Sequence, residues 1–299
     1  MKSNSLICVT GLLCIVIQPF LHTSALSAPL PTDEIHISDT QDSVLSEDIS
    51  SGNWWTRQPK EKKLLYTTAT AAAVIGVWGV TQWDYGSSDW HKADEGWFGE
   101  DSKYGGADKL GHFWSTYVLS DALTGLYKHW GYPSRKANTY AALSAWTVQA
   151  VMEIFDATSE SQGFSTEDVV MNTIGALTSV LMERYPEIDR KIDFRVEYVL
   201  ETDFNNFFDD YSNQFYSIVL KLEGFDSIEN NFLKYLEFHG GYYSRGYDTD
   251  EVDKNRSFYA GISFNFSRLL HQNGWSKSGK VLEYLQVPYT VLKASHDLD

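Results

Sequence analysis

Residues 185–200 read YPEIDRKIDFRVEYVL, and the class of the fold turns on them. Upstream of Pro186 apolar residues recur at helical spacing, and downstream they alternate. Ile192, Phe194, Val196, Tyr198 and Leu200 point one way, and Asp193, Arg195 and Glu197 the other. Farther along, QFYSIVLKL, KYLEFHGGYY, RSFYAGISFNFS and LQVPYTVLK are rich in aromatic and β-branched residues and read as further strands. The intervening EGFDSIENN and GYDTDEVDKN carry the turn residues. These five short strands fall below the roughly eight needed for a transmembrane barrel, so they predict a small antiparallel sheet.

Working back from Pro186, four helices are expected: about 62–83, from Lys109 to Trp130, from Lys136 to Ala157, and from Thr166 to Tyr185. YPSR and SQGFS make the turns, and turns that short set the last three helices side by side and antiparallel. Ser165 is a natural N-cap with Asp168 three residues on, a variant of the capping box. The class is therefore α+β, a bundle of about four apolar helices followed by the sheet. The expected organisation is a signal peptide over 1–28, an acidic linker over 29–53, the bundle over 54–186 and the β-rich region over 187–299, packed on the bundle.

The N-terminus reads as an export signal. Lys2 supplies the charge, LICVTGLLCIVI the apolar core and HTSALSA the small residues before cleavage. Cys14 follows Leu13 rather than a small residue, so ordinary export is expected rather than lipidation. Both cysteines of the chain, Cys8 and Cys14, lie within the signal. The exported part thus has no disulfide, cysteine-ligated zinc or thiol nucleophile. A formal charge of −16 argues against nucleic acid and against simple adhesion to anionic lipid. Part of that acidity sits in PLPTDEIHISDTQDSVLSEDISSGN, too polar and acidic to bury a core and therefore a disordered spacer.

The helices have the length to span a bilayer, and Trp54, Trp55, Trp83, Trp90 and Trp97 flank the first as an interfacial belt would. The charges oppose simple spanning. RQPKEKK would lie outside and DEGWFGEDSK inside, the reverse of the positive-inside rule. Ser115, Asp121, Gln149, Glu153 and Asn172 also exceed the polarity of a lipid-facing helix. A bundle seated against or partly in a membrane reconciles these signals, with membrane or envelope lipid as partner.

One constellation carries chemistry. GGADKLGHFWST, residues 105–116, sets Asp108, Lys109 and His112 near one helix face. Glu153 and Asp156 end the third helix, and Asp168 and Asn172 begin the fourth. Antiparallel order brings these three helix ends together. Each residue also has a structural role open to it. Asp108 and Ser165 can cap helices, His112 can be a hydrogen-bonded core residue, and Gly175 and Ala176 can serve helix packing. Glu153 and Asp156 oppose the helix dipole unless a cation compensates, and Lys109 is the nearest. GGYYSRGY opens no helix and is no phosphate loop, and its Arg245 reads as a surface residue or an anion contact.

ADKLGHFWSTYVLSD, EIFDA and GFSTEDVVMNTIGA resemble the YfiM family of predicted periplasmic lipoproteins of unknown function. The later DDYSNQFYSIVL, KYLEFHGGYYSRGYD and RSFYAGISFNFSRLL are similar to its longer members, extending the resemblance over about 85–295. The order of the polar residues is also similar, more loosely, to VanZ-like membrane proteins. The resemblance implies an envelope location, periplasmic and membrane-associated, and no established reaction. Two classes of function stay open. One is a non-catalytic envelope component whose cluster holds helix ends together. The other is a hydrolase or transferase acting on a lipid or cell-wall precursor, with Glu153 or Asp156 as base and His112 as proton donor or metal ligand. The absence of serine-elbow and HExxH motifs favours the first. No cofactor or protein partner is indicated, and a metal is left open.

Overall fold

The structure is a computed structural model that describes residues 53–199, 209–228, 231–247 and 253–299. The expected signal peptide, and all of the expected linker but Asn53, lie outside the described residues. The described residues divide at Thr70 into two compact units, one up to Thr70 and one from Ala71. In the first, the rings of Trp54 and Trp55 pack on Tyr66, 5.7 and 6.5 Å between centroids. Helix α1 (Lys60–Gln82) crosses the boundary at residue 70 and is the one described helix long and apolar enough to cross a membrane.

The second unit contains α2 (Ala107–His129), α3 (Ser134–Asp156) and α4 (Thr166–Arg184), then a short α5 (Pro186–Asp189). Ser165 caps α4 as its sequence predicts, its hydroxyl accepting from the Asp168 backbone N–H. Asp108 does not cap α2. Gly106, at φ 83°, holds that position with no side-chain bond, which frees Asp108 for another role.

The bundle is polar within. Asn138 donates to Thr124 and Ser179, Tyr127 to Ser144, Gln149 to Ser115 and Thr116 to Asn172. All of these side chains but half-buried Ser115 are buried between helices that approach closely over Ala137, Ala141, Ala145 and Gly175. A Cβ on Gly175 would lie 2.3 Å from the Phe113 carbonyl oxygen, so this glycine sets the α2–α4 crossing. Outside, α4 shows water an unbroken apolar stripe of Val170, Ile174, Leu177 and Leu181, and α3 shows Leu143 and Ile154. Of the five polar residues named against lipid contact, Gln149, Glu153 and Asn172 are buried, and Ser115 and Asp121 are half-buried.

Strands β1 (Ile192–Tyr198), β2 (Gln214–Lys221), β3 (Leu236–Arg245) and β4 (Asn255–Phe264) are antiparallel neighbours. Two short helices follow, α6 (Phe266–Gln272) and α7 (Ser276–Val281), then β5 (Leu285–Gln286) and β6 (Leu292–Asp297). The expectation of five antiparallel strands is corrected to a mixed sheet of six, in the order β5-β1-β2-β3-β4-β6, with β5 parallel to β1. Two causes account for it. LQVPYTVLK breaks at Pro288 and at Tyr289, whose φ is 62°, into two strands that join opposite edges. The α6–α7 connection returns the chain so that β5 runs beside β1 in the same direction.

The sheet curls strongly. Lys293 on β6 reaches Glu197 on β1 at 2.6 Å, although about 19 Å would part those strands in a flat sheet. The concave face is the charged one. Arg195 forks onto Asp193 and Glu237 at 2.6–2.8 Å and onto Gln286 at 3.0 Å, and Lys221 pairs with Asp193. His239 sits there between Ser217 and Ser263, and burial lowers its pKa to about 4, helped by Arg195 and Lys293. The convex face carries the apolar set. Ile192, Leu220, Phe238, Ile262 and Leu292 are register partners across five strands, forming one continuous belt. Part of that face packs on α2, where Phe113 and Tyr117 meet Phe194 edge-on and Ala107, Val196 and Tyr216 form a small core.

Candidate functional site

The start of α2, the end of α3 and the start of α4 meet at one end of the bundle, as helix order requires. They bring Asp108, His112, Glu153, Asp156, Asp168 and Asn172 into one cluster, five of them lining a small, partly open polar cleft. Asn172 stands behind His112, its Oδ1 3.3 Å from Nδ1. The Thr116 hydroxyl donates to the same oxygen at 2.9 Å.

Lys109 is the hub of one half. Its buried ammonium lies 2.6 Å from Glu95 Oε2, 2.7 Å from Asp108 Oδ2 and 2.9 Å from Asp168 Oδ1. Burial alone would lower its pKa, but Asp108, Asp168 and Glu95 together raise it. Lys103 joins from the loop before α2, bonding Glu95 Oε1 at 2.8 Å and the Gln162 side chain at 2.6 Å. Burial pushes Glu95 upward, yet Lys103 and Lys109 outweigh it and hold the carboxyl near a pKa of about 2. Asp108 moves the other way, raised chiefly by burial despite its contact with Lys109.

The other half lacks such a hub. Glu153 is 1% exposed, and its Oε2 accepts from the Ser165 backbone N–H at 3.3 Å. Its Oε1 lies 3.5 Å from His112 Nδ1 and accepts no hydrogen bond. Burial raises Glu153 to about 8 and Asp156 to about 6. His112 is raised as well: burial opposes its charge, but Asp168, Glu153 and Asp108 favour it more strongly. Its Nε2 is 3.7 Å from Asp168 Oδ2.

Lys109 thus provides the compensating charge expected of it, though for Glu95, Asp108 and Asp168, while Glu153 faces His112. Sequence reasoning missed Glu95 and Lys103. Both lie on a loop with no periodicity to aim them, in the acidic DEGWFGEDSK stretch. Arg245, far from the cluster in sequence, stacks over the Phe215 and Tyr243 rings, 4.4 and 4.6 Å from their centroids.

No curated protein and no solved structure matches the chain. Residues 94–184 match the model of a family described as predicted periplasmic lipoprotein, DUF2279, whose function is unknown. That span holds every residue of the cluster, from Glu95 to Asn172, and stops short of the sheet. The match bears out an envelope localisation, periplasmic and membrane-associated, for a chain similar to this family through its bundle.

Proposed function

We propose that this is a non-catalytic cell-envelope protein that works seated on a lipid bilayer, its polar cluster holding three helix ends together. The inverted polarity of residues 71–299 carries the reading. Bundle and sheet both bury many hydrogen-bonding and charged side chains, and each turns a set of large apolar side chains outward. In water that arrangement leaves Leu177, Phe258 and Leu292 more than half exposed with nothing gained. Against acyl chains it satisfies both sides, as small-residue helix contacts and polar-in, apolar-out strands do in membranes. The charge of −16 makes electrostatic adhesion unfavourable, so the attachment is apolar. The YfiM-like order of motifs, and the looser VanZ-like one, belong to the same reading and add no reaction.

Washing isolated envelopes tests it. Salt and carbonate should leave the protein bound and detergent should release it. Leu220→Asp with Ile262→Asp, both on the convex belt, should lower the bound fraction without unfolding the sheet. Recovery of the parent in the soluble periplasmic fraction would end the proposal.

A second reading, an envelope hydrolase or transferase acting on a lipid or cell-wall precursor, is favoured by one observation. Glu153 at about 8 and Asp156 at about 6 line the cleft beside His112, in the range useful to a general base near neutral pH. A well-folded Glu153→Gln protein that fails to restore a deletion phenotype would support it, and full restoration would dismiss it.

A further inference from the structure

We propose that His112, Glu153 and Asp168 bind one first-row divalent cation, of the Zn²⁺ or Mn²⁺ class, that ties α2, α3 and α4 together. The inference does not depend on membrane seating. One donor comes from each helix, and one ligand atom of each residue lies within 4.8 Å of the others. The His112 Nε2–Asp168 Oδ2 separation of 3.7 Å is close to the ~3.4 Å between two donors sharing a tetrahedral ion at ~2.1 Å.

Three further observations single out this trio. Glu153 Oε1 is buried and accepts no hydrogen bond, and a buried oxygen left in that state is costly unless a ligand meets it. The neighbouring trio of Glu95, Asp108 and Asp168 already has its cation in Lys109. Among the described residues no lysine or arginine pairs with Glu153, whose one ionic neighbour is His112. Asn172 Oδ1 accepts from Thr116 and faces His112 Nδ1, which assigns the ring proton to Nδ1 and leaves the Nε2 lone pair on the side of Asp168. An imidazole with carboxylates and no thiolate suits zinc, manganese or iron better than copper(I), calcium or magnesium. The cleft gives the ion a way in.

Full-length protein, extracted from envelopes in detergent without chelator, should hold about one equivalent of metal per chain. After stripping with EDTA, Zn²⁺ or Mn²⁺ added alone should restore one equivalent and raise the melting temperature, and Mg²⁺ or Ca²⁺ should not. Glu153→Gln should lose stoichiometric binding, and Asn172→Ala should weaken it about 10- to 100-fold. Should a variant not fold, X-ray absorption of the loaded parent decides: a shell of oxygens with one imidazole is expected. A parent that neither retains nor takes up Zn²⁺ or Mn²⁺ overturns the proposal. So does a folded Glu153→Gln protein with unchanged binding, or a shell with several imidazoles or none.

Discussion

Replacing Lys109 with methionine removes one ammonium and almost no volume. Three carboxylates lose this partner at once, because Glu95, Asp108 and Asp168 all lie within 2.9 Å of that nitrogen, and of the three Glu95 keeps a second ammonium, that of Lys103. Each is under a tenth exposed, so water cannot replace the lost contacts. Breaking a buried pair costs about 3–5 kcal/mol, and the hub position puts Lys109→Met at the upper end. For a compact unit of this size each kcal/mol lowers the melting temperature by about 2–4 °C, so a fall of about 10–20 °C is expected at pH 7. Adding Glu95→Gln should return part of the loss, since a neutral amide needs no ammonium beside it, and the two effects should be non-additive. Thermal melts of the single and double variants in detergent at matched pH make the measurement. A Lys109→Met protein that melts within 2 °C of the parent would refute the claim that this ammonium organises the cluster.

Acidification should act through Glu95. Its folded pKa of about 2 lies below the unfolded 4.5, so its contribution is complete above about pH 4.5 and is lost as pH falls toward 2. Melting points across that range should drop more steeply for the parent than for Glu95→Gln, and equal slopes would contradict the assignment. Gly175→Ala should destabilise by about 1–3 kcal/mol, because the new Cβ meets the Phe113 carbonyl at 2.3 Å; a neutral result in denaturant titration would show that the α2–α4 crossing can open. Arg195→Met should cost about 3–5 kcal/mol by stranding Glu237 within the curled sheet and leaving Asp193 to Lys221 alone, read by the same titration.

The sequence was enough for the switch from helical to alternating pattern at Pro186, the Ser165 cap, and the meeting of Asp108, His112, Glu153 and Asp168 at one bundle end. Those are consequences of local periodicity and short turns, which act over a few residues. Alternation in IDFRVEY likewise separated two faces, but it could not say which one is buried. That required the curl that brings Lys293 to Glu197 and encloses Arg195 with Asp193 and Glu237. The parallel β5, the role of Asp108 as a partner of Lys109 rather than a cap, and the arrival of Glu95 and Lys103 from an aperiodic loop were also decided in three dimensions. Each depends on contacts between residues distant in the chain, whose energies leave no mark on the spacing of neighbouring residues. For that reason one pattern of charges can be a solvated surface in one fold and the buried interior of another.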